Sequence, residues 1–147
     1  MMMILAFAVQ SMVTLAPPAR NDVPATAFVC ELTLADGAAF KLSGIAPAFR
    51  PGRDPNAEQV MTLTVENMAE LVGRGFAKVE SNSGSEFRDY QIVMPRGEAM
   101  YIANLKLRAA SGGVVWVTRY APTKPPEAYR YFAVGHCRSD FEGKPVS

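Results

Sequence analysis

The sequence predicts an all-β chain: a small antiparallel barrel or sandwich of about eight strands, with one short helical turn and one disulfide. Three observations carry that expectation. From residue 27 onward apolar and polar residues alternate in short runs, the period of a strand with one buried face. Glycine, proline and other turn residues separate the runs. The two cysteines, Cys30 and Cys137, stand near opposite ends of the pattern.

The chain has 147 residues, which suits one domain. Apolar residues make up 49% and charged residues 20%, enough to build a core and too few charges for a disordered chain. Fifteen basic and fourteen acidic residues leave a net charge of +1. That balance gives no electrostatic footprint for nucleic acid or an anionic membrane surface, so neither is expected as a partner.

Met1 to Ala16 is apolar except for Gln10, Ser11 and Thr14. A spanning helix needs about 20 apolar residues, so the run is short for a membrane anchor and fits the apolar region of a secretory signal. Ala25-Thr26-Ala27 is a small-x-small site. It predicts cleavage after Ala27, with 1–27 as signal peptide and 28–147 as a single β-rich domain, periplasmic or secreted and without a stable membrane span after processing. The other reading makes this segment a buried first strand or helix of the domain. Cys30 and Cys137 do not form a C-x-x-C motif, so neither a redox site nor a zinc knuckle is indicated. In an exported chain such a pair is expected to form one disulfide.

Each element follows in order. Residues 27–34 place Phe28, Cys30, Leu32 and Leu34 on one face, with Glu31 and Thr33 on the other. Asp36-Gly37 is a hairpin signal, and residues 39–45 return. Residues 46–57 hold three prolines and a glycine and read as a loop. Residues 59–66 form a strand. Residues 67–75 predict one or two helical turns stopped by Gly73 and Gly75. Strands follow at 76–81, 86–94, 99–108 and 114–120. Pro-rich 121–128 cannot extend a central strand, and 129–137 closes the pattern. Adjacent first and last strands would seal a barrel and remove its edges.

Catalytic signals are sparse. His136 is the only histidine, too few for an expected metal site. No G-x-S-x-G context and no Gly-rich phosphate loop occurs. No cofactor, metal or catalytic constellation is expected, and the chain is read as a non-enzyme. A site assembled only in space would draw on Asp89, Glu98, Tyr101, His136 and Asp140. Trp116, in an apolar run, is expected in the core. Tyr129, Tyr131 and Phe132 either form a stacking surface or line the barrel.

One stretch carries a resemblance. "SGSEF" (83–87) followed by "RGEA" (96–99) is similar to the signature of the periplasmic C-type lysozyme inhibitors, an S-G-x-x-Y loop with a basic-Gly-acidic segment one strand later. The resemblance implies export, a small eight-stranded barrel and a disulfide from an early to a late cysteine. It also implies that the loop serine and the downstream cation enter the lysozyme cleft and meet its two carboxylates. Carried over, Ser83 is the loop serine, Gly84 its glycine, Phe87 stands at the tyrosine position, and Arg96 with Gly97 supplies the basic turn. Phe87 lacks the phenolic hydroxyl, and Arg is not an equivalent donor to Lys. Two expectations follow: an exported non-catalytic β-domain that binds a protein or cell-envelope component, or more narrowly a lysozyme inhibitor acting through these residues.

Overall fold

The computed structural model describes residues 23–48, 58–83, 85–121 and 131–146. Its eight strands are β1 (Thr26–Leu34), β2 (Ala39–Ala46), β3 (Gln59–Glu66), β4 (Gly73–Asn82), β5 (Phe87–Arg96), β6 (Ala99–Arg108), β7 (Gly112–Tyr120) and β8 (Tyr131–Asp140). They pair antiparallel in sequence order, and β8 returns to β1 to close a barrel. The period-two runs therefore become strands as expected, each with one face inward.

Closure follows from the alternation. Phe28, Cys30 and Leu32 of β1 point inward with Phe40 and Leu42 of β2, and the same phase continues through Ile92, Leu105, Val117 and Ala133. Eight strands give an interior that side chains just fill. The seam between β1 and β8 pairs Cys30 with Cys137, and the two form the predicted disulfide.

The short helical turn expected within 67–75 forms, while its expected glycine stops fall in the next strand. A single 3-10 turn spans Ala69–Leu71, and β4 begins at Gly73. Gly73 starts the strand at φ 136, a backbone conformation open to glycine, instead of ending a helix. Trp116 is corrected. Val115 and Val117 take the inward phase of β7, so Trp116 between them faces outward and is only half-buried.

The two ends of the barrel are closed differently. At one end Arg88 turns inward and is 3% exposed. Its Nη1 donates to the Thr26 hydroxyl (2.7 Å) and to the carbonyls of Phe141 (2.8 Å) and Pro24 (3.2 Å). The guanidinium lies 4.2 Å from the Phe141 ring centroid, and the Tyr90 hydroxyl meets Thr26 Oγ1 at 2.8 Å. At the other end Leu71 of the 3-10 turn is fully buried. Tyr101 donates to Glu70 and accepts from Arg119 Nε, and Phe132 packs edge-on to Tyr101.

The Arg88 end draws on residues ahead of Phe28. Val23 is buried, and Thr26, fully buried, is the first residue of β1. Removing residues up to Ala27 would strip the barrel of both, and Arg88 of its Thr26 and Pro24 acceptors. The apolar run Met1–Ala16 lies outside the described residues, as do Gly84 and Tyr129.

Candidate binding site

The two predicted turns are separated by the whole of β5. Ser83 sits at the Arg88 end, Arg96 and Gly97 at the Leu71 end. Ten residues at about 3.4 Å each place them about 30 Å apart along the strand. Ser83 Oγ accepts from the backbone N–H groups of Glu86 and Phe87, both at 2.9 Å. It acts as the cap of its own turn. Phe87 is half-buried, its ring 5.2 Å from the Arg108 guanidinium.

Arg96 folds back onto the barrel. It donates to the Pro95 carbonyl (2.6 Å) and the Leu71 carbonyl (3.0 Å), fastening the 3-10 turn to the β5–β6 hairpin. Burial lowers its pKa, with Tyr101 opposing, and its Nε is buried without a partner among the described residues. Gly97 has φ 58, and Glu98 beside it has no positive φ. That is the two-residue II′ hairpin pattern, with glycine first.

The residues of a spatially assembled catalytic site are placed apart. Asp89 faces out from β5 under Arg108 (2.8 Å), Lys106 (3.3 Å) and Ser81 (3.1 Å). Burial pushes its carboxyl up. The hydrogen bonds from Arg108, Lys106 and Ser81 together outweigh that and hold it below the usual carboxylate range. Tyr101 closes the opposite end, its pKa raised by burial and by the Glu70 hydrogen bond. Glu98 lies on the β5–β6 turn, and His136 lies exposed on β8. Asp140 accepts from the N–H groups of Glu142 and Lys144 after β8. Among the described residues no group of three or more His, Cys, Asp or Glu could hold a metal ion.

A groove forms on the outer wall instead, over β7, β8 and the edge of β1. Its lining includes Thr33, Val114, Trp116, Tyr131, Val134 and His136, and it encloses about 500 Å³, within the range of about 300–1,000 Å³ usual for ligand sites. Cross-strand register assembles it: Trp116 pairs with Val134, which pairs with Thr33, while Val114 pairs with His136. Tyr131 is 64%, Val134 49% and Val114 43% exposed. Gly135 lies on the lining, and a Cβ there would collide with the Glu31 carbonyl. Only glycine lets β8 approach β1 so closely at this point.

A register shift shapes the aromatic part. Val117 pairs with Ala133 but Thr118 pairs with Tyr131, leaving Phe132 as the extra residue. Such a bulge re-aims side chains. Phe132 turns inward against Phe40 and Tyr101, and Tyr131 turns outward to meet Trp116 edge-on, centroids 6.4 Å apart. The aromatic cluster read from the last strand thus divides, one ring lining the barrel and one standing in the groove. Sequence reasoning missed Trp116 because "VVWVT" is apolar in both phases. The strand's phase, set by its neighbours, decides which side the indole takes. Comparison with protein-family models, curated proteins and solved structures finds no match to this chain.

Proposed function

We propose that this protein is an exported, non-catalytic binding barrel that receives its partner in the outer groove at Trp116, Tyr131 and Val134. The observation that carries the reading is the pair of aromatic rings held edge-on outside a barrel whose interior is already filled. A ligand therefore has a concave, partly apolar seat on the wall and none at the centre. The Cys30–Cys137 disulfide supports an oxidising compartment, periplasmic or extracellular. The scatter of Asp89, Glu98, Tyr101, His136 and Asp140 over different faces and ends supports binding over catalysis.

The lysozyme-inhibitor reading ranks second. It asks one cleft to admit Ser83 and Arg96 together, and the barrel holds them at opposite ends with both side chains occupied in their own turns. The experiment for the first reading is binding of the oxidised protein to a cell-envelope fraction, compared with Tyr131→Ala. Loss of binding in the variant with its fold intact supports the groove. Equal binding removes it.

A further inference from the structure

The groove's chemistry narrows its occupant. Its lining contains no carboxylate, lysine or arginine. Beside it Lys106, whose Nζ lies 5.8 Å from the Trp116 ring centroid, is held by Asp89. Among the described lining residues, then, an anionic ligand finds no guanidinium or ammonium to answer it. The floor is apolar and carries two ring faces inclined at 63°. Around it stand polar tips without a hydrogen-bond partner among the described residues: the Thr33 hydroxyl, the Tyr131 phenol, the Trp116 indole N–H and the His136 ring. A purely apolar occupant, such as a hydrophobic peptide face, would bury those tips unpaired.

The lining therefore suits a molecule that is uncharged, apolar on one flat side and rich in hydroxyls at its edge. Resting on the groove reading above, we propose that the occupant is a neutral glycan. One pyranose ring lays its C–H face on Trp116 or Tyr131, and its hydroxyls reach Thr33 and His136. The amphipathic rings of Trp and Tyr suit such a half-wet seat, and the volume of about 500 Å³ admits a short segment of a chain. Gly135 belongs to the same design, because a side chain there could not be accommodated against Glu31.

Trp116 is the chain's only tryptophan, so its emission reports the groove directly. The oxidised full chain is titrated with β-1,4-linked oligomers of glucose and of N-acetylglucosamine, and with the glycan fraction of an envelope extract freed of protein by protease. The glycan reading expects a saturable change in Trp116 emission from at least one of these, with a Kd of about 1 mM or tighter. Tyr131→Ala weakens that binding about tenfold. Tyr131 is exposed, so its loss leaves folding intact, and Val60→Ser on β3 serves as a control that changes nothing. A response to the untreated extract that protease abolishes, with none to the oligomers, overturns the glycan and keeps the groove. A concentration-dependent dimer abolished by Tyr131→Ala makes the occupant a second copy and also overturns it. Silence of Trp116 toward every arm removes glycan and groove together.

Discussion

Cys30 and Cys137 are register partners across the β1–β8 ladder, their Cα atoms 4.0 Å apart. The disulfide thus spans the seam that joins the first strand to the last, over a sequence separation of 107 residues. Constraining a loop of that length is worth about 4–5 kcal/mol on the chain-entropy model. Cys30→Ser with Cys137→Ser should lower Tm by more than about 10 °C, with strand content kept in circular dichroism because the ladder itself remains. An unchanged melting curve would deny the disulfide its role in closure.

Thr26 gives the Arg88 end its polar closure. Thr26→Val keeps the shape but removes one of the three acceptors of Arg88 Nη1 and the partner of Tyr90. The expected cost is about 1–3 kcal/mol, read by denaturant unfolding. Cleavage after Ala27 would remove Thr26 from this network. On the export proposed above, mass analysis of the mature protein should find its amino terminus at or before Val23. A mature chain starting at Phe28 with full stability would refute this closure.

Asp89 sets an acid limb. Its carboxyl is held below the usual range in the folded state, so its contribution is fully present above the unfolded pKa of about 3.9 and is lost as pH falls through the folded value. Stability should decline below about pH 4, and Asp89→Asn should flatten that decline while lowering stability at neutral pH. Lys106 and Arg108 are each about two-fifths exposed, so added salt should reduce the Asp89 contribution. Identical acid limbs in the two proteins would contradict the assignment.

Much of the fold was legible because alternation and turn chemistry agree. Asp36-Gly37 became the first hairpin turn with Gly37 at φ 91, and the strand from Ala99 to Arg108 took its predicted bounds. The cysteine positions anticipated a seam that only three dimensions can confirm. The helical turn expected within 67–75 forms at Ala69–Leu71, but Gly73, read as its stop, starts β4, because glycine can begin a strand as readily as end a helix. The site was less legible. One strand between Ser83 and Arg96 already implies opposite ends of a sheet, whatever their motif resembles. The groove could not be read at all, since it needs the phase of β7, the bulge at Phe132 and the close approach at Gly135 to act together.

The most direct measurement of the central claim is Trp116 emission during titration of the oxidised protein with a solubilised envelope fraction, beside Tyr131→Ala and a Ser83→Ala, Arg96→Ala double variant. The account predicts a saturable change in the native protein, about tenfold weaker in Tyr131→Ala and preserved in the double variant. Binding that survives Tyr131→Ala but vanishes when Ser83 and Arg96 are replaced would contradict it.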